Sequence, residues 1–497
     1  MYLLGYDLGS SSVKASLIEA ASGRCIASAF YPKEEMPMIS RKPGWAEQDP
    51  SIWWDNIVLA TGNVLRSSNV QKGDIAAIGL SYQMHGLVVT DDNMKALRPS
   101  IIWCDSRAVD IGSKAFASIG EERCLAFLLN SPGNFTASKL KWVKDNEPDT
   151  FARIKHVMLP GDYIASLLTG EATTTPSGLS EGILWNFSEN NLAEMVLEEY
   201  GFSKDMFPKV VPNFAIQGYL TKKAASELGL HAGIPLAYRS GDQPNNAFSL
   251  NVLQPGEIAA TAGTSGVVYG VSSEVKYDPL SRVNTFAHVN HTEKETRLGV
   301  LLCINGTGIT NSWLRRQVMS DGLSYDDMNQ LAADVPPGSE GLLVLPFGNG
   351  AERMLGSHDT GCTIAGLDFN RHSRATLIRA AHEGIVFSFH YGMEIMRTIG
   401  IDPNVIRAGH SNMFLSPIFR DSLSAITGAT IELYDTDGSQ GAARGAGLGA
   451  GLYKNASEAF ENLQLIQTIE PNITLAEPLN EAFARWEKRI QSMINYQ

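Results

Sequence analysis

The 497-residue chain is too long for one ordinary hydrophobic core, so two or more domains are expected. Its 44% apolar and 19% charged residues are those of a globular protein, and the formal net charge of −13 argues against wrapping a nucleic-acid backbone or an anionic membrane. The five cysteines, Cys25, Cys104, Cys124, Cys303 and Cys362, are scattered without a CxxC or Cys/His cluster, which argues against zinc and suits reduced thiols in a cytoplasmic protein.

Apolar stretches at 2–7, 13–20 and 25–31 predict three strands joined by tight turns. Asp49-Pro50 then opens a helix to about residue 66, because Asp is a good N-cap and proline is favoured at the first helical position. Residues 75–81 and 86–90 predict strands around Tyr82-Gln83-Met84-His85, and 137–146 a helix. A strand across Ile234 to Tyr238 ends at Ser240-Gly241-Asp242-Gln243-Pro244. A domain boundary near residue 248 gives two α/β domains, 1–247 and 248–497. The second starts with a strand–turn–strand unit across Ile258 to Val268.

Leu377, Ile378, Ala381, Ile385, Val386 and Phe389 fall at helical spacing and predict a helix over about 371–399. Residues 413–427 predict another, stopped by Gly428. From Gln440 to Leu452 the chain is rich in Ala and Gly. Each glycine inside a helix costs about 1 kcal/mol relative to Ala, so this helix is expected to pack closely on another backbone. No basic stretch leads into an apolar one at the N-terminus and no segment approaches a membrane span, so neither a secretory leader nor a membrane anchor is expected.

Two turns carry the functional signal. Asp7-Leu8-Gly9-Ser10-Ser11-Ser12-Val13-Lys14 and Ala262-Gly263-Thr264-Ser265-Gly266 are alike and lie half a chain apart. Each presents backbone N–H groups and hydroxyls at one point, which is a nest for phosphate oxygens or else an ordinary polar turn. Neither a Walker A pattern nor GxGxxG accompanies them. Asp7 suits a Mg²⁺ held by one or two carboxylates, water and phosphates, and Lys14 could reach a phosphate as a point charge. Asp242 follows a strand and is either a helix N-cap or a carboxylate beside a ligand. Met84-His85 is either structural or part of a site. Trp103-Cys104-Asp105-Ser106-Arg107 lines a sugar pocket or forms an ion pair. Gly409-His410-Ser411-Asn412 is a plain connection or a nucleotide turn at a helix start.

In order along nearly the whole chain, these stretches resemble those of the FGGY carbohydrate kinases, and within them the xylulokinases. Asp7 to Lys14 resembles the family's first phosphate motif, and Gly44-Trp45-Ala46-Glu47-Gln48-Asp49-Pro50 its Gly-Trp-x-Glu-Gln-Asp-Pro segment. Gln83-Met84-His85-Gly86 resembles the turn whose Met and His face the sugar, and Thr136 to Asn146 the first signature. Gly241-Asp242-Gln243 matches the segment that holds the catalytic base, and Gly263-Thr264-Ser265 the second phosphate motif. Gly409 to Asn412 is similar to the adenosine-binding turn. Tyr82, Gln243 and the Ala408-Gly409-His410 turn depart from the usual xylulokinase pattern. The glycerol kinases carry an Arg-Glu pair where this chain has Met84-His85, which weakens a glycerol assignment.

The resemblance implies an actin/hexokinase-like ATPase fold, with two ribonuclease-H-like domains around a central cleft. It implies ATP-dependent phosphorylation of a ketose, D-xylulose first, with Mg²⁺, in pentose catabolism. Asp242 would be the base and Asp7 would hold the metal through water. Met84, His85, Trp103, Asp105 and Gln243 would bind sugar. Gly9, Ser10, Ser11, Ser12, Lys14, Gly263, Thr264, Ser265, Gly409 and Asn412 would bind ATP. The family often forms homodimers. The rivals are another sugar or polyol kinase of the family and a non-catalytic, actin-like nucleotide sensor.

Overall fold

The computed structural model describes residues 1–319 and 322–494. The chain divides into two compact units. The first comprises Met1–Asn251, Phe286–Leu298 and Thr436–Leu463, so it draws on two segments from beyond residue 248. The second comprises Val252–Thr285, Gly299–Asp435 and the chain from Gln464.

The first unit is built on a six-stranded sheet in the order Phe214–Tyr219, Pro235–Gly241, Ile75–Tyr82, Tyr2–Leu8, Val13–Glu19, Cys25–Tyr31. The three middle strands are parallel and the outer pairs antiparallel. Leu8, Tyr82 and Gly241 are register neighbours, so the three parallel strands end together at one edge. In open α/β sheets that carboxyl edge is where ligands bind.

Helix Pro50–Ser68 packs on the opening strands and buries Trp53, Ile57, Ala60 and Val64. Its N-cap is Asp49, whose Oδ1 accepts the Ser51 N–H at 3.0 Å. The Ala/Gly-rich stretch forms helix Gly438–Gly449, which lies on Tyr2–Leu8, Ile75–Tyr82 and Pro235–Gly241. Small residues on both the helix and the strands are required by this contact. A methyl group at Gly5, Gly79 or Gly449 would collide with the carbonyl of Ser439, Ala442 or Ala237 respectively.

The second unit repeats the plan. Strands Gly266–Ser272, Glu257–Ala262, Val405–Gly409, Thr430–Tyr434 and Leu465–Ile469 are successive neighbours within a seven-stranded sheet. Again a hairpin leads into three parallel strands, with Ala260 beside Ala408 and Gly409 beside Tyr434. Helix Arg374–Thr398 buries Ile385, Val386 and Phe389, as its spacing predicts. Trp486 is fully buried and its indole N–H donates to the Val344 carbonyl at 2.9 Å, which satisfies the polar end of a large apolar side chain. One boundary is corrected: the expected helix at 413–427 is a short 3₁₀ turn, Asn412–Leu415, followed by helix Pro417–Thr427. Ser416 caps that helix, because its hydroxyl accepts the Phe419 N–H and proline follows it. Gly428 closes the helix in the left-handed conformation.

Candidate active site

Two carboxylates and a turn stand at the carboxyl edge of the first unit's parallel strands. Asp7 is in the first, the Gln83–His85 turn follows the second, and Asp242 follows the third. Asp7 Oδ1 accepts the Ser81 hydroxyl at 2.7 Å from the neighbouring strand. Burial pushes its carboxyl above the ordinary range, and the charge of Asp437 adds to this against the Ser81 hydroxyl and Lys14. Its other oxygen lies against Gly438 at the start of helix Gly438–Gly449, where the helix dipole favours an anion.

The Lys14 ammonium is committed to Asp437 Oδ2 at 2.7 Å. Burial works against the Asp437 charge, but Lys14, the Ser439 hydroxyl and the Gln440 N–H together hold its carboxyl below the usual range. Gly9 closes the first turn by donating its N–H to the Ser12 carbonyl at 3.0 Å. Ser11 is exposed, while Ser10 and Ser12 are half-buried. Gln48 supports this turn from the Gly44–Pro50 segment, with its amide donating to the Ser10 carbonyl at 2.6 Å.

Asp242 opens helix Asp242–Ser249, but Gly241 takes the N-cap position, so capping does not account for this carboxylate. Burial pushes its carboxyl up to about 7, with the charge of Asp7 adding to the effect and Gln243 opposing it. A carboxyl poised near neutrality at a strand end has the properties of a general base.

His85 sits in the left-handed conformation at φ 60°. Its Nδ1 is 2.9 Å from the Glu181 carbonyl. A carbonyl only accepts, so Nδ1 carries a proton. The ring stands between Phe135 and Phe286, with centroids 4.8 Å and 5.4 Å away. Lys139 holds the turn from below by donating to the carbonyls of His85 at 2.9 Å and Ile102 at 3.0 Å. Burial lowers its ammonium to about 7. Met84 is buried beside Gly241.

Trp103 is 53% exposed, and its indole N–H donates to Ser10 Oγ at 3.3 Å. Asp105 is different, and the expectation that it lines the sugar pocket is corrected. Its carboxylate is fully buried and accepts the Ala46 N–H at 2.6 Å, the Arg107 N–H at 2.9 Å and the Arg107 guanidinium at 2.7 Å. Both oxygens are consumed in holding Arg107, which also reaches Glu47 at 2.7 Å and stacks on Trp45 at 3.9 Å. Asp105 is therefore scaffold. Losing one partner of such a buried pair costs about 3–5 kcal/mol.

In the second unit, Gly263, Thr264 and Asn412 line one cavity of about 510 Å³ together with Gly308, Tyr325 and Asn329. Gly308 donates to the Gly263 carbonyl at 2.9 Å, and Ile309 donates to the Thr264 carbonyl at 3.0 Å. A side chain at Gly308 would collide with the Gly263 carbonyl. Asn412 is held at φ 54°, and Thr264 is exposed. Ser265 is exposed on the turn and Gly409 ends its strand, and neither lines the cavity.

Residues 2–249 match the FGGY family of carbohydrate kinases, N-terminal domain, and residues 258–452 match the C-terminal domain. The chain belongs to the FGGY family of carbohydrate kinases. It is 28% identical over 468 residues to the xylulose kinase of Bacillus subtilis, covering 93% of this chain and 90% of that one. It is also 28% identical over 517 residues to the L-xylulose/3-keto-L-gulonate kinase of Escherichia coli, covering 99% and 97%. The crystal structure of a xyloylose kinase from Brucella ovis superposes with a TM-score of 0.91 at 25% identity, covering all of both chains. The chain is thus an FGGY carbohydrate kinase of the actin/hexokinase-like ATPase fold.

The site of this FGGY kinase includes residues that its sequence did not reveal. Asp437, which pairs with Lys14, belongs to a segment far along the chain. Phe286, which packs on His85, comes from another. Glu181 is fully buried beside Gly241 and carries no motif. Among the described residues no group of three or more His, Cys, Asp or Glu could hold a metal by itself, and no helix is long and apolar enough to cross a membrane.

Proposed function

We propose that this kinase transfers the γ-phosphoryl group of ATP to a hydroxyl of a ketose, with D-xylulose as substrate and D-xylulose 5-phosphate as product. Asp242 carries this reading. Its carboxyl stands at the carboxyl edge of the first unit's sheet, next in space to the Met84–His85 turn, and is pushed up to about 7 by burial and Asp7. As the sugar oxygen attacks phosphorus, its O–H bond breaks and Asp242 takes the proton, while the new O–P bond forms and ADP leaves. Met84, His85, Gln243 and Trp103 bind the ketose.

On the first unit, Gly9, Ser10, Ser11 and Ser12 offer N–H and hydroxyl donors to phosphate oxygens, while Lys14 stays on Asp437. On the second unit, Gly263, Thr264 and Ser265 offer a further set of phosphate donors, and Gly409 and Asn412 bound the adenosine. The Asp7 carboxylate, with Lys14 turned to Asp437, fits a Mg²⁺ held through water rather than by a cage of protein ligands. When bound, that ion supplies charge neutralisation at the phosphate oxygens. We place the enzyme in the cytoplasm, in pentose catabolism, on the basis of its scattered free thiols and its relatives.

The Escherichia coli relative named for L-xylulose matches at the same identity, so the hand of the ketose is the variable to test. ADP release is measured at saturating ATP and Mg²⁺ with D-xylulose, L-xylulose, D-ribulose, L-ribulose, L-fuculose, L-rhamnulose and glycerol. Highest turnover on D-xylulose supports the proposal. Preference for another sugar keeps the kinase and rejects D-xylulose. No sugar-dependent release with bound ATP rejects ketose phosphorylation in favour of a nucleotide sensor.

A further inference from the structure

A buried carboxyl with no assigned role lies directly behind the candidate base. Glu181 is the last residue of the short helix Pro176–Glu181 and is fully buried. A β-carbon on Gly241 would come within 2.5 Å of Glu181 Oε2 and 2.7 Å of the Met84 side chain. Glycine at 241 is therefore a condition for having Glu181 there, and Asp242 is the very next residue. Glu181 also holds His85 twice. Its main-chain carbonyl takes the Nδ1–H of the ring, and its carboxyl takes the main-chain N–H of the same residue.

The groups around this carboxyl do not neutralise it. Tyr82 presents a hydroxyl and His85 an amide from the strand end and turn. Asp242 presents a like charge. Asp162 adds a second acid, and the guanidinium of Arg239 is turned to Asp162 at 3.4 Å. Glu181 Oε1 is buried without a hydrogen-bond partner. An anion in such a place, with no cation of its own, is unfavourable, and the group keeps its proton instead. Burial first, and the charge of Asp242 second, push it well above the ordinary carboxylate range.

We propose that Glu181 is a positioning residue that works as a neutral carboxylic acid, holding the His85 turn against Gly241, and that its ionisation sets the alkaline limit of activity. The active form then carries one negative charge on the pair, at Asp242. Ionising Glu181 as well would bury a second anion beside the base and the sugar turn, and would loosen both. The inference rests on the phosphoryl-transfer reading for its kinetic consequence, but the protonation of Glu181 does not.

The test compares pH profiles of kcat/KM for wild type, Glu181→Gln and Glu181→Ala, on whichever ketose turns over fastest. Wild type should give a bell. Glu181→Gln, an amide in place of a neutral acid, should keep the acid limb and lose the alkaline limb. Glu181→Ala should raise the sugar KM beyond Glu181→Gln, because it removes the side-chain hold on the His85 main-chain N–H and leaves only the main-chain carbonyl on the ring. An alkaline limb unchanged in Glu181→Gln overturns the proposal.

Melting temperatures across the same pH range, without substrate, give a readout independent of turnover. The folded pKa of Glu181 is raised, so its contribution to stability is complete in acid and is lost as pH rises. The melting temperature of Glu181→Gln should therefore gain steadily on wild type as pH rises. A gap that stays constant with pH overturns the neutral acid even if no ketose is phosphorylated. Should the glutamine variant fail to fold, Glu181→Asp, which keeps a titratable group at shorter reach, should move the alkaline limb by at least about half a pH unit. A limb left in place there overturns the proposal equally.

Discussion

The two units use one backbone plan for opposite chemistry. In each, a hairpin leads into parallel strands whose carboxyl ends present turns at one edge. In the first unit that edge carries Asp7, Asp242 and the imidazole of His85. In the second it carries Gly263, Thr264 and the amide of Asn412 around a cavity of about 510 Å³. The first edge is acidic, buried and titratable. Gly263, Thr264 and Asn412 offer backbone N–H groups, a hydroxyl and an amide, whose charge state is independent of pH, and Asp326 and Arg316 line the cavity beside them. A sheet edge thus supplies geometry, while the residues placed on it decide between acid–base work and passive binding.

Substitutions should separate the two edges. The largest effect is expected for Asp242→Asn, with kcat for the ketose lower by about 10²–10⁴-fold, measured by ADP release. Gly308→Ala comes next. Its new methyl displaces the Gly263 carbonyl, and the ATP KM should rise by about tenfold or more while sugar affinity is kept. A rise in the sugar KM instead would break the assignment of the second edge to nucleotide. His85→Ala should do the reverse. It should raise the sugar KM by about tenfold, the worth of one or two hydrogen bonds, and leave the ATP KM alone.

The smallest effect is thermal. Asp242 has its pKa raised from 3.8 to about 7, so its stabilising share is complete below about pH 4 and is lost as pH rises through about 7. Without ligands, Asp242→Asn should match wild type in acid and melt a few degrees higher at pH 8. The same titration should make turnover rise with pH through about 7. Asn412 carries no such group, so Asn412→Ala should leave both pH dependences in place.

The plan of the sheets was legible because its punctuation is local. Asp49-Pro50 and Gly428 mark helix ends through backbone chemistry that needs no partner. The Ala/Gly stretch announced close packing because glycine in a helix has few other justifications. The 3₁₀ turn at Asn412–Leu415 was merged with the helix after it, although Ser416-Pro417 carries the same cap-and-proline start signal as Asp49-Pro50. Asp105 illustrates a harder limit. An acid two residues before an arginine looks the same in sequence whether it faces a sugar or closes on that arginine, and only burial of both separates the cases. Glu181, Phe286 and Asp437 were hidden for another reason. They reach the site through long-range packing, and nothing in their neighbours along the chain marks them.

The division of labour between the two edges is tested most directly by one paired measurement. ATP and D-xylulose are each titrated calorimetrically into wild type and Asp242→Asn, and sugar-dependent ADP release is followed on the same preparations. The account predicts that the variant binds both ligands within about threefold of wild type while release falls at least about 100-fold. Release kept within threefold of wild type would contradict Asp242 as the base, and loss of ATP binding would contradict the placement of the nucleotide on the second unit.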